Sequence, residues 1–81
     1  MTEMTMYTLT ALAEACEGRL ELGTNGVRAV ITDDDLNVFV EYDDGTRVDA
    51  SQADEAQVME AVTRWREQHH AFFQRVLGAM M

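Results

Sequence analysis

The spacing of apolar residues changes twice along the chain. In residues 8–17, leucine, alanine and cysteine recur at helical spacing, so the pattern predicts a short helix that Gly18 ends. Between residues 19 and 50, apolar and polar residues alternate, which is the period of a half-buried β-strand. Residues 52–79 return to helical spacing. The pattern therefore predicts a short N-terminal helix, then strands, then a long C-terminal helix.

Three short polar sequences divide the alternating segment into strands. "GTNG" supplies glycines and Asn25, "DDD" provides a three-residue loop, and "DDG" places Gly45 where a hairpin needs a left-handed residue. Strands joined by such short turns pair antiparallel with their neighbours in sequence. We therefore predict a single α+β domain over residues 1–81, with an antiparallel meander of three or four strands at about 19–23, 27–32, 36–42 and 46–50.

The predicted last helix carries an apolar stripe of nearly heptad period, formed by Val58, Val62, Trp65, His69, Phe72, Val76 and Met80. Unbroken over residues 52–79, this helix spans about 42 Å at a rise of about 1.5 Å per residue. The predicted strands span only about 20 Å. The helix must then either bend near His69 and His70 or extend beyond the sheet, where its apolar end packs on the first helix or on a second copy of the chain.

The small size of the chain favours a second copy as a partner. A chain of this length buries only about 60% of the surface that it exposes when unfolded. The single cysteine, Cys16, excludes an intrachain disulfide, which leaves oligomerisation as the favoured source of extra stability. We predict that the C-terminal stripe is either ordinary core or a homodimer interface formed by Trp65, His69, Phe72, Phe73, Val76 and Leu77.

Negative charge is concentrated in the middle of the chain. The sequence has 15 acidic residues, 6 arginines and no lysine, for a net charge of −9. Residues 33–60 contain ten acids and one arginine, while residues 1–32 sum to −2 and residues 61–81 to +2. A field of this sign repels nucleic acid and membrane headgroups and attracts basic protein surfaces. We therefore expect no direct binding to nucleic acid or membrane and, without a recognisable signal peptide, a cytoplasmic protein.

The residue patterns predict neither a metal site, nor a cofactor site, nor catalysis. The segment that starts at Asp33 matches early positions of a calcium loop, but Val38 replaces the glycine that the sharp turn of such a loop requires. His69 and His70 are adjacent, so on a helix they diverge by about 100° and do not grip one metal ion together. Cys16 has no assignable base and is expected to pack as a small apolar residue. We expect a protein that is not an enzyme and binds no cofactor.

The aspartates of "ITDDDLNVFVEYDDG", residues 31–45, have two interpretations. Aspartate is a common turn residue, so the charges can simply be solvated turns. Alternatively, both acidic turns and the start of the following helix present their charge together, as a contact surface for a basic groove. The residues of this candidate partner-binding surface are Asp33, Asp34, Asp35, Glu41, Asp43, Asp44 and Asp49.

Three features of the sequence together resemble a known group of proteins: the opening "MTEMTMYTLTALAEA", the acid-rich "TDDDLNVFVEYDDGTRVD" and the lack of a catalytic motif. With these features the sequence is similar to the small phage-encoded anti-CRISPR proteins, which share no common signature motif. The resemblance implies a cytoplasmic, non-enzymatic inhibitor of a host defence complex. It further implies binding at a basic surface of that complex, one that otherwise binds nucleic acid.

Two other functions stay open. An acidic dimer with an initial helix, a meander and a later helix also resembles the type III secretion chaperones, although this chain is shorter and lacks the strands that usually follow. That resemblance implies binding of an unfolded, partly apolar segment in a groove made by the sheet face and the helix. A small regulator or toxin-neutralising protein would instead bind one basic protein partner.

Overall fold

One four-stranded sheet, covered on one face by helices, makes up the fold. The computed structural model describes the backbone of residues 1–80 and the side chains of that range except at positions 77, 79 and 80. In chain order the elements are α1 (Glu3–Ala15), β1 (Arg19–Thr24), β2 (Val27–Thr32), β3 (Val38–Tyr42), β4 (Arg47–Asp49), a 3-10 turn (Ala50–Gln52), α2 (Glu55–Gln68) and α3 (His70–Met80). The sheet order is β1-β2-β3-β4 and all pairs are antiparallel, so the predicted α+β fold with a four-stranded meander is confirmed.

Helix α1 begins at Glu3 rather than at residue 8. Thr2 is its N-cap, because the Thr2 hydroxyl accepts a hydrogen bond from the Thr5 N–H at 3.1 Å. The first turns point Met4 and Tyr7 into solvent, with exposed fractions of 74% and 57%. Because these large apolar side chains do not face the core, the helical apolar pattern becomes regular only further along the chain.

The two faces of the sheet have different surroundings. The strand register aligns Leu20, Val30, Val40 and Val48 across what we call the inner face. This row belongs to or packs against one apolar core, which also contains the helix residues Leu9, Leu12, Ala13, Val58, Ala61 and Val62. The opposite, outer face carries two rows, Arg19, Ile31, Phe39, Asp49 and Glu21, Ala29, Glu41, Arg47. Both α1 and α2 therefore lie on the inner face.

The C-terminal helix, predicted over residues 52–79 either with a bend near His69 and His70 or extending beyond the sheet, is split into α2 and α3. Helix α2 starts after its N-cap Asp54 and ends at Gln68, and its C-cap His69 has a φ of −128° and a ψ of 40°, which are not helical. The His69 N–H donates to the carbonyl oxygens of Trp65 at 3.0 Å and Arg66 at 3.1 Å. The bend near His69 and His70 was one of the expected alternatives. After the bend, α3 contacts α1, so the C-terminal part of the apolar stripe packs against the same chain.

No helix in the part of the chain that the structure describes is long and apolar enough to span a membrane.

Candidate protein-binding surface

The two acidic turns lie at opposite ends of the sheet. The β2–β3 turn contains Asp33, Asp34 and Asp35, and the β3–β4 turn contains Asp43 and Asp44. Successive turns of a meander always alternate between its ends, and the five residues of β3 separate these two by about 17 Å. The structure therefore does not bring the seven predicted partner-binding residues into one patch.

Asp33 holds the β2–β3 turn together. Its Oδ1 accepts hydrogen bonds from the N–H groups of Asp35 and Asn37, both at 2.9 Å, and its Oδ2 accepts from Asn37 Nδ2 at 3.0 Å. The hydrogen bond from the Asn37 side chain is the largest cause that lowers the pKa of Asp33, followed by backbone hydrogen bonds. The Asp33 carboxylate is thus occupied within the turn.

The next two aspartates are different. Asp34 and Asp35 are exposed, and their carboxylates have no hydrogen bond or ion pair with any described residue. Because Asp33 fixes the backbone beneath them, the turn presents two free carboxylates from an ordered loop.

Leu36 follows these aspartates in an unusual conformation. Its φ is +63°, in the left-handed region that costs an L-residue about 1–2 kcal/mol. Its side chain is 59% exposed, so apolar burial does not offset this cost. The tip of the β2–β3 turn therefore combines an exposed apolar side chain with two free carboxylates.

The β3–β4 turn has the same backbone hydrogen bonds but is held by its second aspartate, which leaves one free carboxylate. Asp44 Oδ1 accepts from the Thr46 N–H at 2.8 Å, and this backbone hydrogen bond is the largest cause that lowers the pKa of Asp44. Gly45 takes the left-handed position, with a φ of +90°. The backbone carbonyl of Asp43 accepts from Arg28 Nη2 at 2.6 Å, while its carboxylate contacts no described polar group.

Glu41 and Asp49 are also occupied within the chain. Glu41 lies on the outer face between two arginines, with Arg19 Nη2 at 2.7 Å from Oε1 and Arg47 Nη2 at 3.2 Å from Oε2. The hydrogen bond from Arg19, then that from Arg47, lowers the pKa of Glu41. Asp49 Oδ1 accepts from the Ser51 hydroxyl at 2.7 Å and from the Ser51 N–H at 2.9 Å, which caps the 3-10 turn. Neither carboxylate is free to meet a partner's cation.

The seven predicted acids therefore divide into two groups. Asp33, Glu41, Asp44 and Asp49 stabilise the fold, whereas Asp34, Asp35 and Asp43 are free. Sequence reasoning missed this division. No simple positional signal reveals it, because the occupied aspartate is the first of its run at Asp33 but the second at Asp44.

The predicted homodimer residues mostly pack on their own chain. Trp65 and Phe73 are buried, with exposed fractions of 7% and 9%, and Phe72 and Val76 pack partly buried against the core. His69 is exposed but stacks on the Trp65 ring, with the ring centroids 4.5 Å apart. The side chain of Leu77 lies outside the described residues. The stripe is thus mainly core, and a homodimer through it stays a prediction.

A groove at the α2–α3 bend was not foreseen. It encloses about 290 Å³ and is lined by Arg66, Glu67, His70, Phe73 and Gln74. The guanidinium carbon of Arg66 lies 5.2 Å from the centroid of the Phe73 ring, a cation–π distance. Its lining comes from both sides of the bend, with Arg66 and Glu67 on α2 and the other three residues on α3.

The described side chains give no metal-binding cluster. No group of three histidine, cysteine, aspartate or glutamate residues among them is placed to hold an ion. Cys16 is partly buried against the core, and desolvation raises the pKa of its thiol.

Comparisons with known proteins give no relative from which function can be read. No model of a protein family, no curated protein and no solved structure matches the chain.

Proposed function

We propose that the protein is a non-enzymatic inhibitor of the anti-CRISPR type, which binds a basic, nucleic-acid-binding surface of a partner protein. The observation that carries the proposal is the pair of free carboxylates, Asp34 and Asp35, on a turn that Asp33 holds in place. A turn that is already ordered loses little conformational entropy on binding.

The distribution of charge supports the same function. Among the described side chains, only three carboxylates form ion pairs with arginine, those of Glu21, Glu41 and Glu60. The other acidic side chains form no ion pair with any described residue, and the chain as a whole has a net charge of −9. Such a surface attracts a basic groove over long range and competes there with phosphate groups.

Two matched variants test the proposal. Asp34→Asn/Asp35→Asn removes two free carboxylates from the turn, and Glu3→Gln/Glu14→Gln removes two exposed carboxylates from α1. Both variants have the same net charge, so they separate a local contact from the overall field. The partner is first isolated from the native host with the parent protein and identified by mass spectrometry, and each affinity is then measured by calorimetry.

We expect Asp34→Asn/Asp35→Asn to weaken binding at least about tenfold. The α1 variant should change the affinity by about twofold or less, since distant exposed charges contribute little. Equal effects of the two variants would indicate that only the overall charge matters, and no effect of either would contradict the proposal.

One observation favours the chaperone-like alternative. The outer face of the sheet carries Ile31 and Phe39, both only half-buried, between charged residues. An extended apolar segment could pack there. In that case Phe39→Ser, rather than the aspartate variant, should abolish binding. A regulator or toxin-neutralising protein would also bind a basic protein, but that partner would not be a nucleic-acid-binding defence complex.

A further inference from the structure

Two arginines near the α2–α3 bend lack an acidic partner although the chain is strongly acidic. Arg64 forms an ion pair with Glu60 at 3.2 Å. Arg66 and Arg75 form no ion pair with any described carboxylate and lie instead over aromatic rings, at 5.2 Å and 5.6 Å from the ring centroids. Their positive charge is thus available to an anionic group from outside the chain.

The groove beside Arg66 combines this charge with an apolar floor. Phe73 forms the floor and is 9% exposed, while Arg66, His70 and Gln74 supply polar groups around it. Glu67 is the one acidic residue in the lining. A ligand that fits must offer an apolar side chain for the floor and a carboxylate for Arg66, placed away from Glu67.

The chain itself presents this combination at the tip of the β2–β3 turn. Leu36 is 59% exposed, and the free carboxylates of Asp34 and Asp35 lie beside it in sequence. We propose that the groove at the α2–α3 bend binds the β2–β3 turn of a second copy of the chain, with Leu36 over Phe73 and an aspartate paired with Arg66.

Charge complementarity selects this contact over others between two copies. Chains of charge −9 repel one another when acidic surfaces meet. Residues 33–60 sum to −9 and residues 61–81 to +2, so a contact that joins the first segment to the second pairs unlike charges. It is also heterologous, because each copy uses a different surface.

This inference does not rest on the proposed function, since it needs no foreign partner. It adds a consequence if both hold. The same turn cannot occupy the groove of a second copy and a basic surface of a partner at once, so self-association would reduce the concentration of active inhibitor.

Sedimentation equilibrium from micromolar to millimolar concentration measures the contact. The parent protein should show a weight-average mass that rises above 9.1 kDa with concentration. Leu36→Gly should weaken association at least about tenfold, because it removes the apolar side chain. Arg66→Gln should weaken association about tenfold, because it removes the cation.

Two further variants act as controls, one for the position of the removed charge and one for its sign. Arg64→Gln removes the same charge from the same helix outside the groove and should change association by about twofold or less. Glu67→Gln removes the like charge from the groove and should strengthen association by about twofold. Thermal melts confirm that each variant is folded.

A mixing experiment decides whether the two surfaces bind each other. Leu36→Gly keeps an intact groove and Arg66→Gln keeps an intact turn, so each variant alone should stay monomeric while their mixture forms a complex of twice the chain mass. A mixture that stays monomeric, a parent protein that is monomeric throughout, or equal losses for Arg66→Gln and Arg64→Gln would overturn the inference.

Discussion

Leucine takes in the β2–β3 turn the left-handed position that glycine takes in the β3–β4 turn. The φ angles are +63° at Leu36 and +90° at Gly45. The turns share their backbone hydrogen bonds, because the N–H groups of Asp33 and Tyr42 donate to the carbonyl four residues on, and those of Leu36 and Gly45 donate to the carbonyl three residues back. Their side-chain hydrogen bonds differ, since Asp33 takes the position of Tyr42 and Asp44 that of Asp35. The turn requires a left-handed residue but not a leucine, which is strained there. Strain of this kind clusters at functional sites. The comparison therefore directs attention to the β2–β3 turn rather than to acidic turns in general.

The largest effect is expected from placing a side chain at the glycine. Gly45→Ala should destabilise the protein by about 1–2 kcal/mol, because alanine is unfavourable at a positive φ. The added Cβ would meet no atom within 4 Å, so the loss reports backbone conformation alone. Urea unfolding measures it. Gly78→Ala in α3 also meets no atom within 4 Å and should not destabilise, so a loss there as large as at Gly45 would contradict this reason.

The reverse change at the leucine should have a smaller and opposite effect. Leu36→Gly removes the left-handed strain but adds disorder to the unfolded chain, for a net gain of about 0.5–1 kcal/mol. The same urea experiment tests it. If the variant is instead destabilised, the Leu36 side chain contributes to folding, and its exposure no longer indicates a role in binding.

A third pair of variants compares a fixed and a free aspartate within one turn. Asp33→Asn should lower the melting temperature at pH 7, because the amide cannot accept both hydrogen bonds from Asn37 as the carboxylate does. Asp34→Asn should leave it unchanged.

The difference at Asp33 should depend on pH. Hydrogen bonds lower the pKa of Asp33 in the folded protein, so its stabilisation is present above the unfolded pKa of about 3.9 and is lost as the pH falls through the folded value. Melting temperatures of the parent and Asp33→Asn should therefore converge in acid. A difference that stays constant down to acidic pH would show that the carboxylate charge is not the cause.

Local patterns in the sequence predicted most of the fold. Alternation of apolar residues located the strands, and Gly45 and Asn25, both at positive φ, lie in the predicted turns. The first turn of α1 was missed because Met4 and Tyr7 face solvent. The sequence left the bend at His69 open, since residues on both sides favour a helix and the packing of α3 on α1 is a tertiary contact.

The candidate site was less predictable. The sequence located the acidic turns, and their separation already follows from the predicted meander, because β3 lies between them; the expectation of one joint surface was inconsistent with that fold. It also could not tell Asp34 from Asp33, because that difference depends on hydrogen bonds within the folded turn. The groove at Arg66 was likewise not predicted, because its shape depends on the packing of side chains from α2 and α3.

The most direct test of the proposed inhibitor function is a competition measurement on the isolated partner. The partner is saturated with the nucleic acid that it binds, and the protein is added while release of the labelled nucleic acid is followed. We predict release at stoichiometric protein, with at least about tenfold more Asp34→Asn/Asp35→Asn needed for the same effect. Two results together would contradict the proposed function. They are a stable complex that holds the partner, its nucleic acid and the protein, and equal affinity of the parent protein and Asp34→Asn/Asp35→Asn for the partner.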